Sequence, residues 1–175
     1  MNGMESAAEI ALIQIGYWDD TPKGDWIMPA YLFDPTWDPS ERTRVASYLK
    51  GGARVREDLG YSHCRLSSEI PDSVMGNAEN TDGTWIWPEG LAIYIDRFAV
   101  RLPEAFLQHI RASEYEAFCP TGDVESAHVD TTFWKEWCRA QKREAGWLRY
   151  SLLAIWRTRQ IRSACLLYTS PSPRD

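Results

Sequence analysis

The run Thr81-Asp82-Gly83-Thr84-Trp85-Ile86-Trp87-Pro88-Glu89-Gly90-Leu91 decides how the rest of the chain is read. Asp-Gly is a turn dipeptide, because glycine accepts positive φ and aspartate bonds to nearby backbone amides. Thr84 to Trp87 follow it with β-branched and aromatic side chains, which favour a strand. Pro88-Glu89-Gly90 then opens a helix, on which Leu91, Tyr94, Ile95 and Phe98 recur at the spacing of a single apolar face. A turn, a strand and an amphipathic helix in so short a run require a sheet with helices laid against it. The expected class is α+β: a small, mostly antiparallel sheet packed with three to four helices.

Upstream, Asp38-Pro39-Ser40-Glu41 marks a helix start. Asp38 can accept from the first free amides, Pro39 suits the first helical position, and Glu41 completes a capping-box-like pair. Val45, Tyr48 and Leu49 follow at helical spacing, and Gly51-Gly52 is read as the stop, through positive φ. Arg54–Leu59 and Tyr61–Leu66 read as two short strands joined at Gly60, residues 67–80 as a polar loop, and Ala7–Ile15 as a strand or short helix. Trp18–Ala30 reads as a Trp-bearing loop. Downstream, Leu102-Pro103-Glu104 opens a helix with Phe106, Leu107 and Ile110 inward. A last helix starts near Asp130 or Thr131, where Trp134, Cys138, Gln141, Ala145, Leu148, Leu152 and Ile155 step by four and three. The predicted organisation is a single α+β domain over 1–130 and an amphipathic, basic helix over 131–164.

Charge divides the chain. Seven basic residues against Glu144 make 139–162 net +6; with Arg174 and Asp175 cancelling, a total of −6 leaves −12 on residues 1–138. An acidic body of that size argues against wrapping nucleic acid and suits a basic protein partner. No run reaches the roughly 18 apolar residues of a membrane span, and Glu5 and Glu9 do not suit a secretory leader. Cys64, Cys119 and Cys138 are too few and too scattered for a disulfide framework, which points to a reducing, cytoplasmic setting.

The stretch from Trp37 to Ile110 resembles a family of uncharacterised bacterial proteins. The resemblance rests on Trp37-Asp38-Pro39, Gly60-Tyr61-Ser62-His63-Cys64-Arg65, Thr81-Asp82-Gly83, Trp87-Pro88-Glu89-Gly90-Leu91 and Val100-Arg101-Leu102-Pro103. It implies relatives but no activity. Some of those relatives carry a second cysteine shortly after the Cys64 position, where Leu66-Ser67-Ser68-Glu69 stand here, so no metal pair is implied. Cys165 to Asp175 back-translate, codon for codon, into a string resembling a sequencing-library adaptor. Residues 165–175 are therefore expected to be non-native, and the native chain to continue differently beyond about Ala164.

Several groups are candidates for chemistry. His63, Cys64, Cys119, His128 and Cys138 lack the paired spacing of a structural zinc site, so no metal is expected. No phosphate loop or nucleophile elbow appears, and no motif calls for a cofactor. Asp82 and Glu89 flank the aromatic strand and could sit at one rim as an acid–base pair. Their structural roles, in the turn and at a helix start, are the stronger expectation. Trp85 and Trp87 share a strand face, either as a stacking platform or as core, with core favoured. The composition and charge lead to a non-enzymatic, cytoplasmic protein-interaction module as the first expectation. The alternative is an enzyme or small-ligand binder with a Trp-lined cleft and Asp82, Glu89 or His63 at its rim.

Overall fold

The computed structural model describes residues 11–120 and 124–145. Five strands form one sheet: β1 Ala11–Gln14, β2 Ala53–Glu57, β3 Ala78–Thr81, β4 Trp85–Pro88 and β5 His128–Asp130. The described helices are α1 Pro39–Gly51, the single turn α2 Asp72–Met75, α3 Leu91–Phe98, α4 Glu104–Ala112 and α5 Thr132–Ala145, with a 3-10 turn at Pro29–Leu32. The class is α+β as expected, but the sheet is mixed rather than mostly antiparallel. In the order β2-β3-β4-β1-β5, the first three strands pair antiparallel, while β1 runs parallel to both β4 and β5. Parallel partners meet only after a long crossover, so no local turn signal announces them.

One sheet face carries the helices. Trp85 and Trp87 point into that layer. Trp87 stacks on Tyr48 of α1 at 6.0 Å and meets Phe106 of α4 at 5.8 Å, while Trp85 packs on Phe106 and on Phe133 of α5. The opposite face holds a smaller cluster of Leu12, Ile86 and Ala127, with Val55 and Val129 against it. Alternation along β4 explains the division, since Ile86 must point away from its two tryptophan neighbours.

Local signals decided much of this. Asp38 caps α1 by accepting from the Glu41 amide at 2.9 Å, with Pro39 in the first turn. α3 buries Leu91, Tyr94, Ile95 and Phe98, and α4 buries Phe106, Leu107 and Ile110. On α5, Trp134 and Cys138 of the anticipated seam are buried. Its continuation beyond Ala145, like residues 1–10 and the adaptor-like tail, lies outside the described residues.

Three expectations fail. Tyr61–Leu66 is irregular: the Ser62 amide donates to the Gly76 carbonyl and the Arg65 amide to the Tyr94 hydroxyl, so these donors are spent outside the sheet. The true partner of β2 is β3, inside the stretch read as a loop, with Ala53 opposite Thr81 and Glu57 opposite Ala78. Gly52 ends α1 at φ −62°, without the left-handed turn. Glycine is needed there for room: a Cβ would stand 2.6 Å from Cζ2 of Trp87 and 3.2 Å from the Thr81 carbonyl. Gly52→Ala is therefore expected to destabilise by about 1–3 kcal/mol through overpacking. Chemical denaturation measures this, and an unchanged midpoint would contradict the close approach.

Candidate functional site

The sequence-derived candidates do not assemble into one site. Trp85 and Trp87 are 6% and 0% exposed, so they offer no stacking face. Asp82 and Glu89 stand beyond opposite ends of β4, and the strand between them separates the two carboxylates. Glu89 lies before α3, two residues ahead of its first residue, and is a latch. It accepts from the Asn77 amide at 3.2 Å and lies 3.5 Å from Arg54 Nη1. His63 is exposed and its Nε2 lies 3.2 Å from Asp20 Oδ1. Among the described residues no three metal-ligating side chains converge, and no helix is long and apolar enough to cross a membrane.

Asp82 belongs to a buried network. Its side chain, 1% exposed, accepts from the Thr84 and Trp85 amides at 2.8 and 2.7 Å, which is the turn chemistry read from Asp-Gly. It also accepts from the Tyr48 hydroxyl at 2.5 Å and faces His109 Nε2 at 2.9 Å. Burial, then the Asp82 carboxylate, raises the Tyr48 pKa well above that of an ordinary phenol. His109 lies flat beside Phe106, with the ring planes 12° apart, and edge-on to Trp85. With Nε2 assigned as the donor to Asp82, the network is satisfied, and its role is to tie the β3–β4 turn to α1 and α4.

The concave feature lies elsewhere, at the edge where β1, β2 and β4 end and β3 begins. It is a cleft of about 290 Å³, near the lower end of the range for small-molecule sites. Gly16, Tyr17, Trp18 and Asp19 leave β1 into it, and Pro88, Gly90 and Leu91 leave β4. Ala78 and Glu79 supply the β3 side, and Asp58, Ser62 and Arg65 the irregular segment after β2. In open α/β sheets ligands bind in the crevice outside the carboxyl ends of the strands, and this cleft stands at that end of the parallel pair β1 and β4. Gly16 is required at the turn: φ is +80°, and a Cβ would meet the Leu91 side chain at 2.7 Å.

Within the cleft, Glu79 is a partly buried carboxylate. Burial alone raises its pKa above the ordinary glutamate value, although the Tyr17 hydroxyl donates to it and Arg56 Nη1 lies 3.7 Å away. Tyr94, whose pKa burial pushes up to about 12, forms part of the wall with Trp18, their rings 5.8 Å apart. Tyr17 and Trp26 stand nearer the solvent with centroids 6.5 Å apart, and the Trp26 amide donates to Asp19. The Trp18 indole N–H is buried without an acceptor among the described residues. Its ring packs edge-on to Trp134 at 5.2 Å.

A Trp-lined cleft thus exists, but Trp18 and Trp26 line it. Both fell in a segment read as a loop, and the only sequence signal was an unusual density of aromatics between Gly16 and Pro29. Glu79 was hidden in the missed strand. Compared with known proteins, the chain matches no family model, no curated protein and no solved structure.

Two measurements check this geometry. Asp82→Ala should cost about 3 kcal/mol in chemical denaturation, because it leaves the buried Tyr48 hydroxyl and two amides without their acceptor; a loss below about 1 kcal/mol would refute the network. The Glu79 carboxyl should titrate by NMR with a midpoint above the ordinary 4.5. With the folded-state pKa raised, the stability it contributes is present below the unfolded value and is lost as pH rises through the folded one. Glu79→Gln should flatten that slope.

Proposed function

We propose that the protein binds a small molecule in the cleft at the carboxyl ends of β1 and β4, with Glu79 as its principal polar anchor. The observation that carries this reading is a partly buried carboxylate, its pKa raised by burial, held inside a concave, aromatic-walled site. Burying such a group costs stability, and a charge kept in that condition in a cleft is a physical mark of a functional site. The volume suits a ligand of amino-acid size. For chemistry on the ligand, Glu79 is the proton acceptor, since a raised pKa brings a carboxylate closer to the range of a general base.

A specific observation also favours the interaction module. Leu59 is fully exposed and Tyr61 is 61% exposed, and they lie between Asp58 and Ser62, which line the same cleft. Large apolar side chains standing in water beside a concave site are suited to contact with a macromolecule. The two readings share a place on the surface, so a partner could present the small group that the cleft takes.

The test is ligand-observed NMR with a fragment library, followed by mapping of amide shifts. Binders should perturb Tyr17, Asp19, Glu79 and Gly90 together, and Glu79→Gln should weaken them by about tenfold, as expected for a charged hydrogen-bond partner. A library whose hits all map elsewhere would remove the proposal.

A further inference from the structure

We propose that the cleft receives an organic ammonium group, free in solution or carried on a lysine side chain; this rests on reading the cleft as a ligand site. Three carboxylates line it, Asp19, Asp58 and Glu79, against one guanidinium, Arg65. Arg65 Nε lies 3.8 Å from Asp20. With Arg56 Nη1, 3.7 Å from Glu79, counted as well, carboxylates outnumber guanidiniums three to two, so the local charge is net negative and concave low-dielectric walls focus its field.

The walls fit the same chemistry. Tyr17 and Trp26 form a half-open pair of rings, tilted 43° to one another, with Trp18 and Tyr94 also lining the site. Aromatic rings beside carboxylates are the arrangement that holds alkylammonium ions, because ring faces attract cations while shedding little of their own hydration. Trp26 already attracts one ammonium in this molecule: Lys135 Nζ lies 5.8 Å from its ring centroid.

Glu79 supplies the linkage. Burial disfavours its charge, and the groups facing it are Tyr17 from the loop after β1, Arg56 from β2, and Asp19, Asp58 and Arg65 around the cleft. An arriving cation adds to Arg56 a second positive charge that offsets the hydration lost on burial. Binding would then release a proton, and affinity would rise with pH through the range in which free Glu79 titrates.

An anionic ligand is the competing chemistry. The first turn of α3 opens on the cleft with no capping side chain and no acidic residue. A helix N-terminus favours an anion modestly, through its dipole and free amides. Three nearby carboxylates oppose it, so the cation is favoured.

The experiment titrates the full chain in low salt with choline, butylammonium, the neutral carbon isostere of choline, and inorganic phosphate, read by amide shifts at Tyr17, Asp19 and Glu79. Choline or butylammonium should saturate, with the neutral isostere about tenfold weaker or worse. Affinity should rise with pH, and Glu79→Gln should lose both the preference and the pH dependence. To guard against a folding defect, Asp58→Asn at the exposed rim should weaken the cation in the same direction. A capped Gly-Lys-Gly peptide and its trimethyl-lysine form distinguish the sources: tighter binding than the free amines assigns the ammonium to a protein partner, and equal or weaker binding assigns it to a free metabolite. Equal affinity for the neutral isostere, or saturation by phosphate alone, overturns the ammonium proposal while leaving the cleft as a ligand site. No shift with any probe, together with no fragment hit in the cleft, overturns both.

Discussion

Asp82 places a carboxylate where almost no water reaches it, and four donors make that arrangement tolerable: two amides of its own turn, the Tyr48 hydroxyl and His109 Nε2. Two of the four are local and two come from helices far along the chain. A buried carboxylate short of partners would be strongly destabilising, so the β3–β4 turn, α1 and α4 are held to one arrangement. Trp85 and Trp87 then have no choice of direction. They project into the space those helices leave, and the hydrophobic layer closes around them.

A second tie reinforces the first. Glu41 on α1 accepts from Trp37 Nε1, from Arg111 Nε on α4, and from the Tyr115 hydroxyl. Burial pushes its pKa up, but these donors outweigh that and hold it below the usual glutamate range. α1 and α4 are thus clamped through carboxylates at two points, with aromatic packing between them. Rigidity on this side leaves the opposite end of the sheet as the place where loops diverge and a cleft can open. The contrast between buried Asp82 and partly buried Glu79 is instructive. Asp82 is saturated with donors and reads as architecture, whereas Glu79 is desolvated with less compensation and stands in a concavity.

The sheet topology gives the cleft its position. β1 enters between β4 and β5 and runs parallel to both, so its end and the end of β4 fall at the same edge. β2 also ends there and β3 begins there, because β3 runs antiparallel to both of its neighbours. Four chain segments therefore leave or join the sheet within one small region. That convergence, more than any single residue, gathers Tyr17, Asp58, Glu79 and Gly90 from distant stretches of sequence.

The residues alone determined whatever depends on contacts a few positions apart: the Asp38 cap and start of α1, the Asp-Gly turn, the Trp85–Trp87 strand with its shared face, and the apolar sides of α3 and α4. These follow from short-range bonding and periodicity, and they suffice for the α+β class. Tertiary structure alone decided the strand partners, the parallel placement of β1, and the site. Ala78-Glu79-Asn80-Thr81 carries no strand pattern of its own and becomes one because β2 and β4 supply ladders on both edges. Glu79 becomes a candidate anchor for the same reason: its burial comes from neighbours gathered by the fold, and desolvation is a property of surroundings that no run of letters records.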